Sequence, residues 1–506
     1  MTQSIWRVTA QVQAAAYPRL ADDVEVDVAI VGGGITGITC ATLLAAEGRR
    51  VALLEARTIA FGSTGNSTGN LYEVLSSGLA PVARKWSQQV VRDVAASRRQ
   101  AVDLIERFAD RFGEASCFRR CPLYQYTSDD WSKIEEEYVA LKDAGIKARL
   151  EHRVTLPGPA VEGRAMVIDH QAQFHPLNYL RSLAAQAADL GVRVHEHSEV
   201  VEIDAEHRVL HTESGSVRAK EIVLATHTPK GIFGVHAQML THREYGVAGE
   251  VQSLQVPAGI FWPDGQTKRS LRNLEIAGKR YVIAVGAADK TGLHDSEKAL
   301  ASLRSISQEY MPPVGERWEW SAQGYESPDL LPYVGRNPMD DVYIATGFGT
   351  DGLTYGTLAA QIISDEILGK ENPWATLYRA ARFSPIKSIK QILEEQAIAL
   401  KGLVADRVGV PEYAGPASLE PGRGAVVKSN GKKVAVYRDE TGDVEAVSAV
   451  CPHMGCIVHW NQVEKSWDCP CHGSRFATSG DVIEGPALSP LAAVDLEVPH
   501  PQRDKK

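Results

Sequence analysis

Four of the seven cysteines, Cys451, Cys456, Cys469 and Cys471, fall within 21 residues, and two histidines, His453 and His472, lie among them. Cys40, Cys117 and Cys121 are scattered elsewhere. The outer pattern is C-x-H, fifteen residues, then C-x-x-H, which brings two thiolates and two imidazoles to one place. Such a set holds metal. Zinc accepts Cys/His tetrads, and an iron–sulfur cluster can rest on two cysteines at one iron and two histidines at the other. A secreted disulfide scaffold would distribute its cysteines along the chain, so the cluster marks a local site.

The two loops read Cys451-Pro-His453-Met-Gly-Cys456 and Cys469-Pro-Cys471-His472-Gly-Ser474. They resemble the Rieske [2Fe–2S] proteins of respiratory and photosynthetic cytochrome complexes. The resemblance implies that Cys451, His453, Cys469 and His472 ligate the irons. It also implies that Cys456 and Cys471, at matching places in the two loops, form a disulfide, and that the Gly473-Ser474 pair offers hydroxyl and amide donors to sulfur. Imidazole in place of thiolate lowers the negative charge of the cluster and eases its reduction. One departure stands out. Those relatives carry a tyrosine two residues after the serine, donating a hydrogen bond to cysteine sulfur, where this chain has Phe476.

A second kind of chemistry is written in glycine. Gly32-Gly-Gly34-Ile-Thr-Gly37 fits G-x-G-x-x-G, follows the apolar stretch Asp27–Val31 and opens a helical pattern. Glycines let the chain turn tightly and let backbone approach a pyrophosphate, while the next helix offers free N–H groups and a positive dipole end. Glu55 ends the next strand, 23 residues after Gly32, where a carboxylate binds ribose hydroxyls and repels the extra phosphate of NADP. These features do not separate FAD from NAD. Gly347-Phe-Gly349-Thr-Asp-Gly352 repeats the pattern, but Lys370-Glu-Asn-Pro-Trp374 follows the helix, with no second strand and no acid at its tip. A second nucleotide site is therefore not expected there. A better use is to aim a helix N-terminus at the pyrimidine side of a flavin, where negative charge gathers on reduction.

From about Val26 to Trp374 the chain resembles the FAD-dependent amine and D-amino-acid oxidoreductases, the glycine oxidase and sarcosine oxidase group. The residues that carry the likeness are Gly32–Gly37 with Glu55, the Ser63-Thr-Gly-Asn-Ser-Thr68 loop, Phe174-His-Pro-Leu-Asn-Tyr179, Val223–Thr226, Leu331-Pro-Tyr-Val-Gly335, and Ala345–Gly349 with Gly352. The resemblance implies a 63–68 loop beside the isoalloxazine and a 347–354 loop at its pyrimidine edge. The FAD-binding residues it implies are Gly32, Gly34, Ile35, Thr36, Gly37, Glu55, Ser63, Thr64, Asn66, Ser67, Val200, Ala225, Thr226, Gly347, Gly349, Gly352, Leu353 and Thr354.

Helical patterns over 84–112 and 131–143, strands near 192–203 and 207–212, and an antiparallel pattern over 245–325 supply the scaffold. The fold class expected is an α/β Rossmann-type FAD-binding domain interleaved with an antiparallel substrate sheet, followed by a small all-β Rieske domain. The oxidoreductase occupies 1–400, with FAD-binding parts near 24–80, 165–240 and 325–370 and substrate parts near 81–164 and 241–324. An amphipathic helix over 386–405, a helix end and linker at 401–424, rich in proline and glycine, and the Rieske domain at 425–500 complete the chain. The composition, 44% apolar and 23% charged with net charge −9 and no basic run, argues against a nucleic-acid partner. The uncharged stretch Val28–Ala46 is as long as a bilayer crossing, yet four glycines, three threonines and the acidic run before it argue against a span or a secretory signal. A cytoplasmic protein is the default expectation.

Other candidates carry less. Arg272 could clamp a substrate carboxylate, with a surface ion pair as the alternative. Tyr355 and His227 could face the substrate, and so could His175, although packed, hydrogen-bonded side chains are commoner. Cys117 and Cys121 read as ordinary thiols; the arginines around them could lower their pKa values, but nothing else suggests redox use. The reading that follows is a dehydrogenase of an amine or amino-acid C–N bond, passing electrons from FAD to the internal cluster and on to an external acceptor. Alternatives are an NAD(P)H-dependent reductase feeding an oxygenase, and a non-catalytic redox-sensing scaffold. Losing a hydrogen-bond donor to sulfur disfavours the reduced cluster. A redox titration should place its potential above plant-type ferredoxins and below the respiratory relatives, and Phe476→Tyr should raise it.

Overall fold

The computed structural model describes all residues except 1–2, 128–129, 158–161, 230–238, 253–256, 264–268, 294, 311, 338, 383–412, 416–417 and 497–506. The helix anticipated over 386–405 and most of the linker lie outside the described residues. Contacts divide the chain into two compact units. One is built from Met1–Thr228, Arg243–Ala288 and Ala299–Lys387, the other from Pro229–His242, Asp289–Lys298 and Ser388–Lys506.

The first unit holds a mixed sheet in the order Tyr333–Asn337, Val342–Thr346, Ser216–Leu224, Val24–Val31, Val51–Leu54, Arg193–His195. Val24–Val31 lies at its centre, parallel to Ser216–Leu224 and to Val51–Leu54. Its last four residues, Val28–Val31, are all buried, as a parallel strand covered on both faces requires. Helix Ile35–Ala46 carries no charge and is buried almost all round, which suits a helix enclosed by protein on every side. The sequence pattern near 192–203 resolves into two short strands, Arg193–His195 and Glu202–Asp204, because the chain leaves the sheet between them. The uncharged Val28–Ala46 stretch is thus a strand end, a loop and a helix, and among the described residues no helix is long and apolar enough to cross a membrane.

A ten-stranded sheet runs from Phe348–Gly349 through Arg317–Glu326, Leu240–Glu250, Lys279–Lys290, Arg269–Ile276, Ile260–Trp262, Arg119–Gln125 and Glu162–Gln173 to Asn70–Leu71, with Ala148–Thr155 also paired to Glu162–Gln173. Arg269–Ile276 pairs antiparallel with Lys279–Lys290 and with Ile260–Trp262, as expected, whereas Ile260–Trp262 pairs in parallel with Arg119–Gln125. The strands of this sheet come from both sides of the dinucleotide strands in sequence, so the two sheets interleave along the chain.

The second unit contains a three-stranded sheet, Arg423–Ser429, Lys432–Arg438 and Val444–Ser448, and a four-stranded one, His459–Asn461, Ser466–Asp468, Arg475–Phe476 and Val482–Glu484. Asp289–Lys298 belongs to this unit: Ser296 Oγ accepts the N–H of Val463 at 3.3 Å, and Glu297 pairs with Arg423 at 3.0 Å.

Helices Ile35–Ala46 and Gly352–Leu368 touch where the second has Gly356. A Cβ there would stand 2.6 Å from Thr36 Oγ1 and 2.9 Å from Ile35 Cγ2. Overpacking costs about 1–3 kcal/mol, against about 1 kcal/mol gained by removing a mid-helix glycine. Gly356→Ala should therefore lower the urea midpoint of unfolding, and Gly356→Val should lower it further.

Candidate functional site

The first glycine loop is shaped by backbone meeting backbone. A Cβ on Gly32, whose φ is +110°, would lie 2.5 Å from Ala225 O, and one on Gly37 would lie 1.9 Å from Gly32 O. Only glycine fits at either place. Helix Ile35–Ala46 starts at Gly34 without a side-chain cap, so its first turn presents N–H groups and a positive end to the loop. Thr64 Oγ1 accepts the N–H of Ile35 at 3.2 Å, bringing the 63–68 loop against this turn. Glu55 stands at the tip of its strand, accepting N–H groups of Gly33 at 2.7 Å and Arg57 at 2.8 Å. Ala225 donates to Val31 O at 2.9 Å, the Thr226 hydroxyl donates to Thr228 O at 2.6 Å, and Val200 is buried. Residues expected to cradle a dinucleotide thus converge on one end of the parallel sheet.

The 63–68 loop opens with a 3₁₀ turn, Ser63–Asn66. Three successive carbonyls then receive donors from elsewhere: Trp320 Nε1 reaches Asn66 O at 2.8 Å, Trp6 Nε1 reaches Ser67 O at 2.8 Å, and Arg272 reaches Thr68 O at 2.6 Å. Neither tryptophan stood out in the sequence, because a single indole carries no spacing that would mark its partner. Ser63 Oγ sits 3.2 Å from His227 Nδ1, and Tyr325 meets the His227 ring edge-on at 4.7 Å. His227 therefore does reach the loop.

The second glycine loop has Gly347 at φ +83° and Gly349 at φ +57°, and Gly352 begins its helix. Asp351 occupies the cap position without capping. Its carboxylate instead accepts the N–H and hydroxyl of Ser76, at 3.0 and 2.7 Å, and pairs with the wholly buried Arg98 at 3.1 Å. Leu353 and Thr354 are buried behind the loop, and Thr354 Oγ1 accepts the N–H of Tyr72 at 3.5 Å.

Burial places the remaining candidates. Arg272 is not a surface residue: it is buried on its strand, its guanidinium 5.2 Å from the Trp6 ring, its Nε without a partner, and burial pulls it down to about 9. Tyr355 packs in the core beneath the Arg98 guanidinium, 4.4 Å from its ring, beside Phe348 and Tyr378. His175 caps helix Pro176–Asp189 through Nδ1, touches Thr9 Oγ1 with Nε2, and is driven to about 3 by burial, so it stays neutral. For Cys117 and Cys121 desolvation outweighs the nearby arginines, and both thiols rise, Cys121 to about 11.

In the second unit the two Cys/His loops close on each other. Cys456 and Cys471 are joined by a disulfide. The rings of His453 and His472 meet edge-on with centroids 4.9 Å apart. Cys451 and Cys469 are buried and reduced. The hydrogen bond from Cys469 lowers Cys451 to about 7, and the same bond raises Cys469. Burial, with the His453 ring next, holds His472 at about 4, the neutral form that ligates metal. The sulfurs of Cys456, Cys469 and Cys471 also cluster, but two of them are spent in the disulfide. That leaves Cys451, Cys469, His453 and His472 as the donors, two thiols and two imidazoles, and this set fits a [2Fe–2S] cluster. Beneath the second loop Arg475 is buried and bound to Asp468 at 3.0 Å and Glu464 at 2.7 Å, a network not evident from the sequence.

Comparison with known proteins agrees with both halves. The model of the FAD dependent oxidoreductase family matches residues 27–366, and that of the Rieske [2Fe-2S] domain matches residues 412–495. A Bacillus subtilis (strain 168) protein, YhfW, which carries the name of a Rieske 2Fe-2S iron-sulfur protein, is 31% identical over 98% of both chains. The glycine oxidase of Geobacillus kaustophilus (strain HTA426) is 27% identical over 72% of this chain and 98% of its own. A solved glycine oxidase structure from Geobacillus kaustophilus superposes with a TM-score of 0.57 at 21% identity, covering 71% of this chain and all of that one. The L-proline dehydrogenase from P. horikoshii superposes equally, with a TM-score of 0.57 at 17% identity over 72% and 98% of the two chains. FAD is accordingly the cofactor of the first part, and a [2Fe–2S] cluster that of the second.

Removing one partner of a buried ion pair costs about 3–5 kcal/mol. Asp351→Ala should therefore unfold at markedly lower denaturant and purify with less flavin, as read from the ratio of visible to ultraviolet absorbance, because Arg98 and the 347–354 loop lose their tie.

Proposed function

The chain belongs to the FAD dependent oxidoreductase family, and we propose that within it this protein is a dehydrogenase that oxidises the C–N bond of an amine or amino acid and discharges electrons through its own Rieske module to an external acceptor. The observation that carries this reading is the presence, in one chain, of a glycine-loop FAD fold and a complete two-thiol, two-imidazole set. When bound, FAD accepts a hydride and the [2Fe–2S] cluster carries single electrons. The remaining work is binding and positioning. Gly32, Gly34 and Gly37, with the N–H groups of Ile35 and Thr36, would receive the pyrophosphate, and Glu55 would turn from Gly33 and Arg57 to the ribose. Ser63–Ser67, with Val200, Ala225 and Thr226, would line the cofactor's path, and Gly347–Thr354 would bring a helix N-terminus to the pyrimidine edge. In the second unit Cys451 and Cys469 would hold one iron and His453 and His472 the other.

A cluster that drains electrons would be superfluous if dioxygen were the natural acceptor, so slow oxidase activity is part of this reading. Anaerobic addition of a turned-over amine should bleach the flavin and then give the EPR signal of a reduced Rieske cluster. His472→Ala should abolish that signal and the reduction of an artificial one-electron acceptor while leaving flavin bleaching. Bleaching of the native protein without any cluster signal would defeat the internal relay.

A further inference from the structure

The chain between strand Lys279–Lys290 and helix Ser296–Tyr310 falls inside the stretch that matches the FAD dependent oxidoreductase family, 27–366, and outside the Rieske match, 412–495. Its packing nevertheless places Asp289–Lys298 in the second unit. Within that unit the segment is tied at several points. Thr291 is wholly buried and donates its N–H to Thr241 O at 3.3 Å. Ser296 accepts the N–H of Val463, and Glu297 pairs with Arg423.

Between these ties lies Gly292. Its φ is +76°, and a Cβ there would stand 2.8 Å from Asp468 O and 3.1 Å from Pro470 N. Those two atoms belong to the peptide groups on either side of Cys469, one of the two cysteines that would hold iron. The left-handed backbone and the close approach both call for glycine. The Asp468 carboxylate is itself fixed, accepting from Arg475 at 3.0 Å, Ser466 at 2.9 Å and Asn461 at 3.0 Å. The Cys469 backbone is thus gripped by its own strand and by Gly292 together. Lys290 and His472 each lie two residues from the Gly292–Pro470 contact. After burial and the His453 ring, the Lys290 ammonium is the next influence on His472.

We propose that the cluster site extends beyond the Rieske match: Asp289–Lys298 is a third wall beside the two Cys/His loops, in which Gly292 sets the position of the Cys469 thiol and Lys290 supplies a positive charge on the His472 side. Both are positioning residues that act without touching iron. A reduced cluster carries one more negative charge than an oxidised one, so a nearby cation favours reduction. The proposal rests on Cys469 and His472 as ligands and is independent of the substrate.

The test uses the full-length holoprotein, its cluster reduced with dithionite so that no substrate is needed. Gly292→Ala is compared with Gly431→Ala, which imposes the same left-handed strain, φ +73°, in a turn of the second unit where a Cβ meets nothing within 4 Å among the described residues. Gly292→Ala should shift the EPR g values of the reduced cluster and hasten loss of iron to a chelator by about tenfold, the scale of losing an outer support of a metal ligand. Flavin absorbance should stay unchanged, and Gly431→Ala should alter neither cluster property. Lys290→Gln should lower the potential, raising the oxidised-to-reduced ratio at a fixed electrode potential about threefold, the scale of one partly exposed charge pair. That effect should fade in high salt and be absent in Lys290→Arg. Cluster properties of Gly292→Ala that match those of Gly431→Ala overturn the proposal, and so does an unmoved potential in Lys290→Gln. If Gly292→Ala fails to fold, losing flavin along with iron, Lys290→Gln alone decides. A native protein without a Rieske signal after reconstitution and reduction overturns both the proposal and the ligand assignment beneath it.

Discussion

The structure of the first unit turns on a place where two backbones come too close for any side chain. At Gly32 and Gly37 the glycine loop is pressed against Ala225 O and against its own carbonyl. That closeness lets the central strand, the next helix and the strand ending at Leu224 meet at one point, where the helix starts at Gly34 and Thr64 Oγ1 takes the N–H of Ile35. Attraction between a helix end and a phosphate is modest by itself. It becomes a binding site because the peptide groups are held rigid before the anion arrives.

Around this point the chain is tied by hydrogen bonds from distant segments. The 63–68 loop has little apolar surface, yet Trp320, Trp6 and Arg272 each occupy one of its carbonyls. The second glycine loop is fixed through Asp351 to Ser76 and Arg98. Buried polar groups of this kind are expensive unless satisfied, so each tie specifies a single loop position more than it adds stability.

The second unit solves a similar problem with covalent chemistry. Its module is small and its core slight, and two loops must hold four donors in place. The Cys456–Cys471 disulfide joins the loops, and Arg475, buried among Asp468 and Glu464, props the second from below. Both devices leave the ligating thiols and imidazoles free of other duties.

What could be read from the sequence was the chemistry set by contiguous residues. Cys451 to Ser474 and Gly32 to Glu55 are local patterns whose spacing marks a metal site and a dinucleotide loop, and the family resemblances they help to carry turned these into FAD, a Rieske cluster and the fold class without coordinates. Tertiary structure alone decided the rest. Burial puts Tyr355 and His175 in packed positions and raises the thiols of Cys117 and Cys121, in keeping with the structural alternative weighed for each, while Arg272 is buried and not the surface ion pair weighed for it. Trp6, Trp320 and Asp351 gave no signal, because their partners lie 61, 254 and 275 positions away along the chain. Periodicity reports which face of a strand is buried, and it does not report what that face meets.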